Sequence, residues 1–271
     1  MKKVFFWILA IVITLASAYY QRKTGPTHPK EMNEKMSQQE IKFKLPRSGV
    51  SSEDCIVKIP INNSNISGEI FYKRFPSNDD FERIELSFDN SVLYGALPKQ
   101  APAGKLEYFV RLKNNQTTTN TEHVIIRFKG EVPAWALIPH IIFMFIAMLI
   151  SNLAGLFVLG KDTKSLFYAK LALFLLVLGG LIFGPIVQHY AFGQAWTGVP
   201  MGWDLTDNKT LIAVIFWAIA VWANRKKPRT QYILIASIVL FLIYIIPHSL
   251  FGSELDYSTG KVVTGFISLI I

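Results

Sequence analysis

His140, His189 and His248 stand at the ends of three different apolar segments of this 271-residue chain. Two of them share a setting: Leu137-Ile138-Pro139-His140-Ile141-Ile142-Phe143 and Ile245-Ile246-Pro247-His248-Ser249-Leu250-Phe251. Imidazoles arriving from separate helices are what a metal or haem site needs. Asp204 and Asp207 lie in the polar passage between the second and third long segments and would add carboxylates. Imidazole with carboxylate suits zinc, copper or non-haem iron, and Met201 offers a soft ligand for copper. Two imidazoles facing each other would instead hold a haem axially. His28, Glu254 and Asp256 are further donors on the same side. No two histidines share a helix at metal-ligand spacing, and Cys-x-x-Cys-His is absent, so the chemistry rests on the fold bringing separate segments together.

Those segments are apolar blocks in a chain that is 51% hydrophobic. Four long blocks run from about Ala134 to Leu159, Leu166 to Gln188, Leu211 to Ala223 and Tyr232 to Pro247. Each is near the length a helix needs to cross about 30 Å of hydrocarbon. Val4 to Ala18 follows Lys2-Lys3 and ends in Ala16-Ser17-Ala18, which fits either a cleaved signal peptide or a retained anchor. Trp196 and Trp203 suit the headgroup level, and Thr206 or Asp207 can cap a helix starting near Asn208.

Charge gives the blocks a direction, because short cytoplasmic loops are enriched in lysine and arginine. Lys2, Lys3, Lys161, Lys164, Lys170, Arg225, Lys226, Lys227 and Arg229 gather on one side against Asp162 alone. Lys209 and Lys261 share the other side with Asp204, Asp207, Glu254 and Asp256. The +9 net charge therefore describes topology and not nucleic-acid binding. The start of the chain is expected inside, and the polar region, the three histidines and the C-terminal tail outside. Only short turns remain on the cytoplasmic face, and Arg225-Lys226-Lys227-Pro228-Arg229 suits topology, anionic lipid or a partner.

Tyr19 to Gln38 is polar and lacks a period, so it reads as a linker. Beyond it come seven alternating runs: residues 41–45, 56–59, 68–73, 84–86, 92–97, 106–112 and 123–128. Turn-rich clusters separate them, a spacing that suits an antiparallel sandwich. The single cysteine, Cys55, stands just before the second run, in Asp54-Cys55-Ile56-Val57, and reads as a buried strand residue. The stretch Gly95 to Val110, with Pro98 and Pro102 leading into Tyr108, resembles the penultimate-strand region of bacterial fibronectin type III and immunoglobulin-like domains. The resemblance covers about residues 38–131 and implies a binding or spacing domain. It also implies that Tyr108 is a corner tyrosine whose hydroxyl bonds back to the preceding loop.

The expected class is a mixed membrane protein: an extracytoplasmic all-β sandwich of about seven strands, an α-helical transmembrane bundle of four helices, and an N-terminal signal or anchor helix. The expected divisions are 1–18 signal or anchor, 19–38 linker, 39–131 sandwich, 133–250 helices and 251–271 tail. The apolar tail from Lys261 is too short to span and is left to lie in the interface, pack on the helices or begin an unfinished crossing. No Gly-rich phosphate loop, nucleophile elbow or His-Glu-x-x-His occurs in the polar domain. The expected role is therefore binding or scaffolding at the outer face of a cytoplasmic membrane, with lipids and a protein as partners. Its competitor is a metal- or haem-binding membrane component.

Overall fold

The computed structural model describes residues 2–36, 39–61, 65–114, 117–247 and 252–264. The chain divides into a helical unit, Met1–Pro26 with Val132–Gly252, and a sheet unit, Thr27–Glu131 with Ser253–Ile271.

The helical unit holds α1 (Lys2–Thr24), α2 (Ala134–Leu159), α3 (Ser165–Leu176), a π-helical segment (Val177–Phe183), α4 (Gly184–Phe192), α5 (Leu205–Ala223) and α6 (Thr230–Ile245). Among the described residues, four helical stretches are long and apolar enough to cross a membrane: Lys2–Thr24, Ala134–Leu159, Ser165–Phe192 and Leu205–Ala223. The last expected block falls short, because α6 has 16 residues. Pro247 explains its end: a residue before proline is pushed out of helical geometry, and Ile246 is extended at φ −68°, ψ 121°. At the N-terminus the helix is longer than the apolar block, continuing past Ala18 into the expected linker.

Small residues set the spacing between helices. On α2, Ala147, Ser151, Ala154 and Gly155 form a buried stripe, and α6 presents Ile233, Ala236, Ser237 and Leu240. Ser237 donates its hydroxyl to the Ser151 carbonyl at 2.9 Å. A Cβ on Gly155 would sit 2.4 Å from Ser237 Oγ, so glycine is what permits the approach. On α1, Ala10, Thr14 and Ser17 are buried. Asn152 of α2 donates to Thr14 Oγ1 at 3.1 Å, and the ring of Phe6 packs 6.0 Å from that of Phe157.

All seven expected runs are strands in the sheet unit: β2 (Gln39–Leu45), β4 (Cys55–Pro60), β5 (Ser67–Arg74), β6 (Glu82–Glu85), β8 (Val92–Leu97), β9 (Lys105–Lys113) and β11 (Val124–Lys129). Shorter ones join them: β3 (Ser48–Val50), β7 (Ser87–Asp89) and β10 (Thr118–Asn120). One sheet runs β3-β11-β9-β5-β6, with β10 also on β9, and another runs β4-β8-β7. Alternation places one face of the longer strands in a shared cluster, including Leu45, Val57, Ile59, Ile70, Leu97, Val110 and Phe128. Cys55 is half-buried beside this cluster, and burial pushes its thiol above the ordinary range. Part of the expected linker is β1 (Lys30–Met36), paired antiparallel with β2 from Lys30↔Leu45 to Met36↔Gln39.

Part of the expected tail is also structured. The hairpin β12 (Ser253–Asp256) and β13 (Lys261–Thr264) belongs to the sheet unit, and residues 265–271 lie outside the described residues. Its Tyr257 hydroxyl donates to Lys105 O at 2.8 Å and accepts from Lys105 N at 3.0 Å. Leu255 N donates to Ala103 O at 3.1 Å, Arg127 donates to Ser253 O, and Glu254 forms an ion pair with Lys105.

The hairpin turn offers a pH test. Hydrogen bonds from Ser258 and Thr259 hold the Asp256 carboxyl at about 2. A carboxylate depressed below its unfolded value of about 3.8 contributes stability above that value, and the contribution is lost as pH falls through the folded pKa. Carboxyl NMR of the full chain is expected to show Asp256 titrating near 2, moving up toward 3.8 when Ser258 and Thr259 are both alanine. A wild-type midpoint near 3.8 would refute the turn geometry.

Candidate functional site at the polar end of the helical unit

Side-chain contacts fix which helix ends meet. Gln21, near the C-terminus of α1, donates to Tyr244 O at 3.0 Å at the end of α6. Lys209, in the second turn of α5, donates to Ile246 O at 3.2 Å and Pro247 O at 3.3 Å. Trp135 at the start of α2 packs edge-on against Tyr190 of α4, with centroids 6.1 Å apart. One end of the unit thus gathers the C-termini of α1, α4 and α6 with the N-termini of α2 and α5. Lys3 and Asp162, paired at 3.1 Å, mark the opposite end.

The carboxylates proposed as ligands are occupied by the backbone. Asp204 caps α5, accepting from Thr206 N at 2.8 Å and Asp207 N at 3.4 Å, so the helix begins one turn earlier than expected and neither Thr206 nor Asp207 caps it. Asp207 Oδ2 accepts from Thr197 N at 2.6 Å, Thr197 Oγ1 at 3.1 Å and Gly198 N at 3.1 Å. Gln188 donates to Thr197 Oγ1 at 2.6 Å, and Asn208 Oδ1 accepts from Val199 N at 2.8 Å. Gly198 is required, since a Cβ there would lie 2.7 Å from that of Asp207. Together these bonds latch the loop from α4 onto the first turn of α5.

His140 donates from Nδ1 to Gly179 O at 2.8 Å, which places its proton on Nδ1. Gly179 O also accepts from Gly184 N in the π-helical segment, where the ladder shifts by one residue around Gly179, Gly180 and Pro185. His189 is exposed in the last turn of α4, its ring 6.1 Å from that of Tyr190. His248 lies outside the described residues. Met201 and Trp203 are exposed, while Trp196 donates from Nε1 to Val199 O at 3.2 Å. Among the described residues, no three of histidine, cysteine, aspartate and glutamate are grouped to hold a metal ion.

Sequence reasoning missed the two residues that bind the end of α6, Gln21 and Lys209. Lys209 carried a readable signal: a lysine within the second turn of an apolar helix needs a partner, and the last carbonyls of a neighbouring helix are unpaired acceptors. Its charge-assisted bonds make Lys209→Met costly. Loss of about 2 kcal/mol is expected, because burial without the ammonium leaves those carbonyls unpaired. Thermal unfolding in detergent, set against the exposed control Lys227→Met, measures this, and equal midpoints would sink it.

On the sheet unit, Tyr108 is fully buried and its hydroxyl donates at 2.7 Å to Pro46 O. That carbonyl follows β2, so the expected bond to the loop immediately before β9 is replaced by a longer-range one. Phe71 stacks on Phe109 at 5.0 Å, with Arg111 over Phe71 at 4.4 Å and Lys73 over Phe81 at 5.1 Å. His123 stacks on Phe109 at 4.7 Å and contacts Glu107 at 2.6 Å. The ring faces are thus covered by neighbouring side chains.

The two units define a chain with β sheets and four apolar helices of membrane-crossing length. No protein family, curated protein or solved structure matches it.

Proposed function

We propose that this chain is an integral membrane protein whose sheet unit is an exported sandwich that binds or scaffolds protein partners at the outer face of the cytoplasmic membrane. The observation that carries this reading is the outward surface of the helices. Side chains such as Ile8, Val12, Ile141, Phe145, Ile215 and Ile238 are 44–56% exposed, where a water-soluble bundle would present polar residues. Polar groups collect instead at the two ends, and nine basic residues mark one of them. At ~1.5 Å per residue α6 is about 24 Å long, short of the hydrocarbon core by roughly one turn, which local thinning accommodates. The contacts of α1 with α2 and α6 support retention of the N-terminal helix as an anchor.

Labelling with an impermeant maleimide on a Cys55→Ser background tests the orientation. An Asn78→Cys variant should label in intact spheroplasts and a Lys227→Cys variant only after permeabilisation. The reverse pattern would overturn the proposed sidedness. Partner binding is tested by crosslinking in native membranes from an Asn78 photoreactive variant. Absence of any discrete adduct would remove the binding role.

A metal or haem site is the alternative, supported by the placement of His140 and His189 at one end. The carboxylates fit it poorly, because Asp204 and Asp207 are engaged in a helix cap and a loop latch. Stoichiometric metal or a Soret band in purified protein would favour it over scaffolding alone.

A further inference from the structure

We propose that the turn between α5 and α6 is a docking surface for anionic phospholipid headgroups, an inference that rests on the helices being membrane spans. Arg225, Lys226, Lys227 and Arg229 are all exposed, and among the described residues none of the four is ion-paired. Among the described residues of the helical unit, the one carboxylate on this end, Asp162, is already held by Lys3 at 3.1 Å and accepts from Lys164 N at 2.9 Å. Four cations within five residues would repel one another unless counter-charge lay beside them, and the facing surface at this depth is a leaflet of phosphates.

Charge alone would serve insertion topology, which needs only the count of lysines and arginines near a span. The turn is more elaborate than that. Asn224, nearly buried, donates from Nδ2 to Ala220 O at 2.9 Å and to Arg229 O at 3.0 Å, and its Oδ1 accepts from Arg229 N at 2.7 Å. One amide therefore closes the loop into a ring and fixes the spacing of the basic residues. Trp222, 68% exposed two positions before Asn224, supplies an indole at headgroup level. Arginine forks take phosphate in a bidentate manner, and lysines add point charge, so phosphate is the group recognised.

The test uses full-length protein reconstituted in phosphatidylcholine nanodiscs with or without phosphatidylglycerol, reading bound lipid by native mass spectrometry after release. Wild type is expected to retain phosphatidylglycerol over phosphatidylcholine by about tenfold or more, given roughly fivefold per cation before screening. The combined Arg225→Gln, Lys226→Gln, Lys227→Gln and Arg229→Gln variant should lose that preference. Asn224→Ala keeps all four cations and opens the ring, and should weaken the preference several-fold with the Asn78→Cys labelling pattern unchanged. If Asn224→Ala matches wild type, the fixed surface is overturned; if the glutamine variant also matches, lipid recognition by this turn is overturned. Competition by inorganic phosphate as effective as by phosphatidylglycerol would overturn the lipid as occupant. Failure of the membrane reading itself is seen separately, as partition of wild type into the aqueous phase of a phase-separating detergent.

Discussion

Glu254→Ala is expected to destabilise the sheet unit by about 3–5 kcal/mol, the usual cost of stranding one partner of a buried ion pair. The Glu254 side chain is 4% exposed and that of Lys105 17%. Burial already pulls the Lys105 ammonium below its ordinary range, and Glu254 is what offsets that burial while Arg127 adds to it. Without the carboxylate the hairpin also loses its ion pair to β9, leaving the Tyr257 hydroxyl on Lys105, the Leu255 amide on Ala103 O and the Arg127 bond to Ser253 O. All six tryptophans lie outside the sheet unit, at positions 7, 135, 196, 203, 217 and 222, so hydrogen exchange of β9 amides is the appropriate readout. Faster exchange of Lys105 to Val110 is expected, with partial recovery when Lys105→Met is added. Unchanged exchange in Glu254→Ala would show that the ion pair contributes nothing.

Gly155→Leu is expected to cost the helical unit about 2–4 kcal/mol. Overpacking a close helix contact costs about 1–3 kcal/mol, and displacing the Ser237 hydroxyl forfeits its bond to Ser151 O, about 1 more. Because a Cβ alone would stand 2.4 Å from Ser237 Oγ, even Gly155→Ala should be felt, and Ser237→Gly should relieve that smaller change. Trp217, fully buried in the core of the unit, reports unfolding by fluorescence in detergent. A Gly155→Leu protein as heat-stable as wild type would mean that α2 and α6 do not meet through this stripe.

Much of the architecture was legible because side-chain period exposes it. Val57 and Ile59 alternate with exposed Ile56 and Lys58, so β4 declares itself. β1 does not: in Lys-Glu-Met-Asn-Glu-Lys-Met only Met32 and Met36 are buried, four apart, and that spacing carries no strand signal. The hairpin β12–β13 inverts the usual rule, burying Glu254 while Leu255 is only half-buried, so an apolar pattern could not find it. At the polar end, His140 and His189 could be read directly as lying near segment ends. What Asp204, Asp207 and Lys209 touch depends on loop geometry and on where neighbouring helices stop, and neither has a local signature.

Because the sheet unit draws its final strands from Ser253–Thr264, it is assembled from pieces made at opposite ends of synthesis. Strand β9 is translated before α2 begins, yet its buried Lys105 has no carboxylate partner until α6 has been made and Glu254 follows it. A nascent chain that stops before Ser253 would leave the Lys105 ammonium without its carboxylate and the Ala103 carbonyl without the Leu255 amide. Completion of the sheet unit therefore reports that α6 has been synthesised, since Glu254 follows it in the chain.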